Sequence, residues 1–361
     1  KTLMEYEHRH GYKGPITQIV LDPKSIRIEN NKLSKTDKTK ILEQFNNIPN
    51  YGHLQTAIVL SIVEKDTSTK KEIPAYATIL LNNGEITQLP WKGILWAKKY
   101  ISDTRYSKQP ETISQVLAVG DVIYIEKNIE TSIEKKGEFF FQLAQLPEVA
   151  GAMVSVKPRT GQIMSLTGGF DFYQSKFNRI TQARRQPGSN FKPFIYSAAL
   201  NKGYTTASLI NDAPVIFEDK NLEESWRPSN YSGKFFGPTR LRKALYKSRN
   251  MVSIRLLMAI GVNYALDYAK KFGFNPDDLP HNLSLSLGSA NLTPIQLVQG
   301  YSRFANGGYA IEPWIIEKVT NSKDEVLYEH KPLVSCSSYY DKKLCPEDPE
   351  QQAIQTILSD N

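Results

Sequence analysis

Arg185-Gln186-Pro187-Gly188-Ser189-Asn190-Phe191-Lys192-Pro193-Phe194 is the stretch on which the reading of this 361-residue chain turns. Pro187-Gly188 interrupts whatever precedes it, Ser189 falls where a helix should start, and Pro193 is tolerable only in a first helical turn. Serine and lysine three residues apart on that turn share one helical face and can touch. A serine hydroxyl is a poor nucleophile until a base takes its proton. A lysine can be that base only when neutral, which requires desolvation or a neighbouring cation. By itself the pattern is weak, because an N-cap serine followed by a surface lysine would look the same.

A second element strengthens it. Ser248-Arg249-Asn250 lies 59 positions after Ser189, directly before the apolar run Met251 to Ile260. Its side chains should project from a loop at a helix N-terminus, although Asn250 alone would also read as an ordinary N-cap. S-x-x-K with S-D-N and K-T-G is the signature of class A β-lactamases and penicillin-binding proteins; here the central residue of the second motif is Arg249.

With these two motifs the wider landmarks fall into place. Arg184 to Ala199, Tyr231 to Pro238 through Ser248-Arg249-Asn250, and Leu287-Gly288-Ser289 through Phe304-Ala305-Asn306-Gly307-Gly308 resemble class A, bifunctional penicillin-binding proteins of the 1a type. Leu143-Ala144-Gln145-Leu146-Pro147 and Gly168-Gly169-Phe170-Asp171 are similar to the start of the same family's transpeptidase fold. The resemblance implies a multidomain chain, with a small β-barrel (OB-like) domain ahead of an α/β penicillin-binding transpeptidase domain of the serine β-lactamase-like kind. It implies that Ser189 attacks the penultimate D-Ala carbonyl of a peptidoglycan stem peptide, Lys192 takes its proton, Ser248 relays a proton toward the leaving D-Ala, and Asn250 positions the substrate. The acyl group would pass to a neighbouring stem amine, and β-lactams would acylate Ser189 in the same way. It further implies a periplasmic protein held to the inner membrane by an anchor outside this chain, with room for a regulatory protein at the OB-like domain.

Two look-alikes are set aside. Ser359-Asp360-Asn361 spells S-D-N but stands 170 positions from Ser189 with no helix after it, and Arg159-Thr160-Gly161 resembles K-T-G only loosely and precedes the nucleophile. No K-T-G follows the second motif in this sequence, so the transpeptidase domain is expected to lack its C-terminal part, including strands of its central sheet.

The texture of the chain suggests three segments. Residues 1–45 are charged and mixed, with a short helical pattern near Asp37 to Phe45, and read as a linker, which the family resemblance implies follows an absent glycosyltransferase domain. Residues 46–146 carry short β-rich runs at Gln55–Leu60, Ala75–Leu80, Val122–Ile125 and Phe139–Leu143, punctuated by Asn83-Gly84 and Val119-Gly120-Asp121. From 147 to 361 the pattern is α/β, opening with two strands, Ala150–Val156 and Gln162–Thr167, around the turn Pro158-Arg159-Thr160-Gly161. The clearest helix runs from Pro294 to Ala305, with Thr293 as N-cap, Gln296 completing a capping box, and Asn306-Gly307-Gly308 ending it.

Composition excludes more than it identifies. Apolar residues make up 40% and charged residues 23% of the chain, which describes a globular polymer. No apolar run approaches the roughly 20 residues that span a bilayer. The net charge of +8 is spread evenly, with 20 basic against 17 acidic groups in residues 1–146, and forms no polybasic block of the kind nucleic acid requires. The five histidines show no metal spacing and two cysteines cannot complete a zinc site, so neither metal nor cofactor is expected. Cys336 and Cys345 form a disulfide if the compartment is oxidising, and are otherwise two surface thiols. Two other functions remain open: a β-lactam-binding sensor or silent scaffold, and a D-Ala carboxypeptidase or β-lactamase that uses water as acceptor.

Overall fold

The computed structural model describes residues 2–21, 33–65, 74–129, 139–215, 227–338 and 340–357. They form two compact units, Lys1–Gly151 with Gly169–Lys176, and Ala152–Gly168 with Phe177–Asn361.

The first unit begins with α1 (Thr2–His10), β1 (Thr17–Gln18) and α2 (Lys35–Phe45). An antiparallel sheet follows from β2 (Gln55–Val63), β3 (Tyr76–Leu81), β4 (Ile86–Pro90), β7 (Asp121–Ile129) and β8 (Phe139–Ala144), with the small pair β5 (Tyr100–Ser102) and β6 (Arg105–Tyr106) between. The order is β1-β7-β2-β3-β4, and β8 follows β1 along the same edge of β7. Strand β2 is buried on both faces, which explains its unbroken apolar run. Ala57 and Val59 join a core with Ile79, Ile123, Ile125 and Phe141, whereas Ile58 and Leu60 meet Ile41 and Phe45 of α2.

The proposed division at residue 46 therefore needs correction. Residues 1–45 are not a bare linker, because β1 extends the sheet and α2 covers its outer face. The charged sequence of α2 hides a one-sided stripe, Ile41, Leu42 and Phe45, behind a Ser34 N-cap that accepts from the Asp37 amide at 3.1 Å.

The second unit opens on the hairpin β9 (Met153–Val156) and β10 (Ile163–Thr167), which pair antiparallel. Then come α3 (Lys192–Asn201), β11 (Leu209–Asp212), β12 (Gly237–Arg240), α4 (Leu241–Tyr246), α5 (Asn250–Ile260), α6 (Val262–Lys270) and α7 (Pro294–Ala305), followed by the exposed hairpin β13 (Lys318–Thr320) and β14 (Val326–Glu329). β11 and β12 form a two-stranded antiparallel pair. The core is built around Phe194 of α3, whose ring lies 4.8–5.3 Å from those of Phe191, Phe272, Phe274, Tyr301 and Phe304. Helix α7 has the expected capping box between Thr293 and Gln296.

Arg159-Thr160-Gly161 lies in the β9–β10 turn, where Gly161 N–H bonds to Lys157 O. The guanidinium of Arg159 donates to Leu344 O and stands over Tyr340. Leu344 belongs to the loop closed by a Cys336–Cys345 disulfide. Ser359-Asp360-Asn361 lies outside the described residues.

The correction to α2 is testable. Phe45 is fully buried, so Phe45→Ala should cost about 3–5 kcal/mol in denaturant unfolding of the first unit. A cost within about 0.5 kcal/mol, as expected for a solvated linker, would return residues 1–45 to that role.

Candidate active site

Ser189 sits in a single 3-10 turn, Gly188–Phe191, that leads into α3 with Lys192 as its first residue. Two contacts fix the turn. Gly188 N–H donates to Gly288 O at 3.1 Å, and Tyr301 Oη donates to Asn190 O at 2.8 Å. Gly288 is left-handed (φ 71°), and a Cβ there would fall 2.0 Å from Gly188 O. No other residue fits so close a backbone approach. Ser189 is exposed, while Lys192, one helical turn on, is 1% exposed.

The second motif forms a sharp corner between α4 and α5. Ser248 adopts φ 53°, a left-handed conformation unusual for a non-glycine residue. Its amide bonds to Leu245 O and that of Arg249 to Ala244 O, so the corner closes the end of α4 and aims the Ser248 side chain back at α3. Ser248 Oγ donates to Ser189 Oγ at 2.8 Å. Lys192 Nζ donates to Ser248 O at 2.8 Å, Ser248 Oγ at 3.0 Å and Asn250 Oδ1 at 2.7 Å. The four residues singled out in the sequence thus make one hydrogen-bonded group. Ser189, Ser248 and Asn250 border a cleft of about 440 Å³, lined also by Asn230, Tyr231, Ser232, Lys247 and Arg249.

The proton arrangement follows from counting. An ammonium has three N–H donors and all three are used, so Ser248 must turn its own proton toward Ser189. Burial lowers the Lys192 pKa to about 8 from the ordinary 10.5, because the interior disfavours the charged form. When Nζ loses a proton it gains a lone pair. Both hydroxyl bonds can then reverse, Ser248 donating to Lys192 and Ser189 to Ser248, with no heavy atom moved.

Two buried residues around this group were not legible as site residues. Asn230 accepts from the Asn250 amide at 2.9 Å and from Met251 N–H at 3.4 Å, and its Nδ2 donates to Asp212 Oδ1 at 2.7 Å and Lys234 O at 2.9 Å. Asp212 is fully buried, with its second oxygen 3.9 Å from Arg249 Nε. The Arg249 guanidinium lies over Phe236, 3.5 Å from the ring centroid. Asparagine and aspartate in a loop and a strand end carry no spacing signal; only Tyr231 to Pro238, noted among the family landmarks, pointed near them.

Known proteins match this chain over both of its domains. The family model of the penicillin binding protein transpeptidase domain matches residues 151–343. The chain belongs to that family. A second model, the penicillin-binding protein OB-like domain, matches residues 12–149 and so takes in β1 and α2. Penicillin-binding protein 1A of Escherichia coli strain K12 is 40% identical over 92% of this chain, and its Pseudomonas aeruginosa counterpart 38% identical over 91%. The chain spans 36% of the length of each of these relatives. The crystal structure of penicillin-binding protein 1A from Haemophilus influenzae matches 92% of this chain and 43% of that one with a TM-score of 0.71, at 31% identity. The chain of this penicillin-binding family therefore combines an OB-like domain with a transpeptidase domain.

The strained corner gives a controlled comparison. Ser248→Gly and Ser248→Ala both remove the bridging hydroxyl, but only glycine relaxes φ 53°. The alanine variant should be less stable than the glycine variant by about 1 kcal/mol in thermal or denaturant unfolding. Equal stabilities would mean that the corner carries no strain.

Proposed function

We propose that this chain is the peptidoglycan cross-linking part of its protein, a serine D,D-transpeptidase that β-lactams acylate at Ser189. The hydrogen-bonded path from Ser189 through Ser248 to a buried, pKa-lowered Lys192 carries the reading. With Nζ neutral, the Ser189 proton moves through Ser248 to Lys192 as Oγ forms a bond to the penultimate D-Ala carbonyl carbon of a stem peptide. Collapse of the tetrahedral species breaks the D-Ala–D-Ala amide bond. The proton held on Lys192 returns through Ser248 to the departing amine, so Ser248 serves in both directions. The turn that holds Ser189 leads into the N-terminus of α3, which places aligned backbone dipoles near the developing oxyanion. An amine of a neighbouring stem then takes the acyl group and frees Ser189. Asn250, which donates to Ser229 O while accepting from Lys192, holds the base and borders the cleft where the stem peptide lies.

A β-lactam follows the same first half, its ring amide in place of D-Ala–D-Ala, and leaves its acyl group on Ser189. The Cys336–Cys345 disulfide supports a location in an oxidising compartment, the periplasm. Among the described residues no helix is long and apolar enough to cross a membrane.

Intact-mass analysis of the full-length protein after incubation with penicillin tests the proposal. One adduct is expected on the parent and none on Ser189→Ala. Lys192→Ala should slow acylation by about 10²–10⁴. With a base whose pKa is about 8, the neutral form grows as pH rises. The acylation rate should therefore climb about tenfold per unit below pH 8 and level off above it. An adduct on folded Ser189→Ala would reject the assignment of the nucleophile.

A further inference from the structure

The left-handed corner at Ser248 raises the question of what holds it. Helix α5 begins at Asn250, yet its N-cap residue, Arg249, supplies no side-chain hydrogen bond to the first turn. The first N–H groups of a helix need acceptors, and here a residue 20 positions upstream supplies one. Asn230 Oδ1 lies 2.9 Å from the Asn250 amide and 3.4 Å from that of Met251. Asn230 is thus a cap in trans for the helix that carries Asn250.

An amide side chain can do this only in one of its two orientations. Turned over, its NH2 group would face the N–H groups of Asn250 and Met251, donor against donor. Two acceptors prevent it, because Asn230 Nδ2 donates to Asp212 Oδ1 at 2.7 Å and to Lys234 O at 2.9 Å. Asp212 in turn is fixed by its strand. It ends β11, pairs in register with Gly237 of β12, and its carbonyl accepts from Phe236 N–H at 3.2 Å. The chain of contacts therefore runs from the β11–β12 pair through Asp212 and Asn230 to the backbone of Asn250, and from the Asn250 side chain to Lys192.

We propose that Asn230, oriented by Asp212, is a positioning residue for acylation: it sets the backbone of the second motif so that Ser248 and Asn250 both reach Lys192. The inference rests on Ser189 as the acylated residue. Neither Asn230 nor Asp212 bonds to Ser189 or Lys192, so an effect on the nucleophile or the base passes through Ser248 and Asn250, and Asp212, which does not line the cleft, reports on that route without the direct cleft contact that Asn230 has. Displacing a reacting group by about 1 Å can cost on the order of 100-fold in rate, and Asn230→Ala should cost that order in penicillin acylation. Asp212→Asn keeps an acceptor oxygen for Asn230 Nδ2 and should stay within about twofold of the parent. Asp212→Ala removes one of the two acceptors that orient Asn230 and should slow acylation by less than Asn230→Ala, since Lys234 O still holds the amide.

A general loss of stability would also slow acylation, so the deciding readout is a double-variant cycle. Acylation of the full-length protein by penicillin is measured for parent, Asn230→Ala, Asn250→Ala and the double variant, with thermal unfolding of each recorded. Because Asn230 acts partly through Asn250 and partly through Ser248, the double variant should lose clearly less than the product of the two single losses. Losses that multiply instead, or a folded Asn230→Ala protein acylating at the parent rate, would overturn the positioning role and leave the proposed chemistry standing. Should Asn230→Ala fail to fold, an Asp212→Asn protein that folds and loses on the order of 100-fold would overturn it equally. A parent protein that takes no acyl group on Ser189 would overturn both the function and this inference.

Discussion

The buried ammonium of Lys192 is the constraint on which the site depends. A lysine that is 1% exposed cannot keep its charge unless each N–H finds an acceptor, and the second motif provides all three. That demand brings α3 and the α4–α5 corner together across 56 residues of sequence. The incomplete compensation leaves Nζ with a pKa of about 8. Full solvation would make Lys192 an unreactive cation at neutral pH, and burial without acceptors would expel it from the core. The observed environment lies between, where a base can exchange protons with a serine.

The remaining architecture keeps those two pieces in register. Behind Lys192, Phe194 anchors α3 in an aromatic core drawn from the turn before it, the segment after α6 and α7 itself. Ahead of it, the Gly188–Gly288 backbone contact sets the turn that presents Ser189. The corner carrying Ser248 is bent into a left-handed conformation, of the kind that persists only where surrounding contacts over-determine it. Three such contacts are visible: the end of α4, Lys192 on the Ser248 carbonyl, and Asn230 on the start of α5.

Much of this was legible because it is local. Ser189 and Lys192 declare themselves by helical spacing after a Pro-Gly break, and α7 by a capping box complete within four residues. The main strands of the OB-like domain show as β-branched runs bounded by turns. What could not be read rests on partners far away in sequence. The role of α2 became visible only when Ile41 and Phe45 met Ile58 and Leu60, since eleven mostly polar residues resemble a connector until their apolar stripe has a surface to cover. At two residues, β1 is too short for any periodicity. Asp212 and Asn230 are ordinary loop and strand-end residues whose meaning lies in bonds spanning 18 and 20 positions. Of the two look-alikes, Arg159-Thr160-Gly161 is a hairpin turn bound to the disulfide loop, and Ser359-Asp360-Asn361 lies outside the described residues.

The central claim is that Lys192 is a base poised near neutrality by burial and by the second motif. Titrating its side chain directly would test this, by following the Lys192 amine through NMR of selectively labelled full-length protein between pH 6 and about 11. The account predicts a midpoint near 8, set by desolvation, in protein whose core signals stay unchanged across the transition. A midpoint at the ordinary lysine value of about 10.4 would contradict it, because Lys192 would then remain a cation throughout the working range.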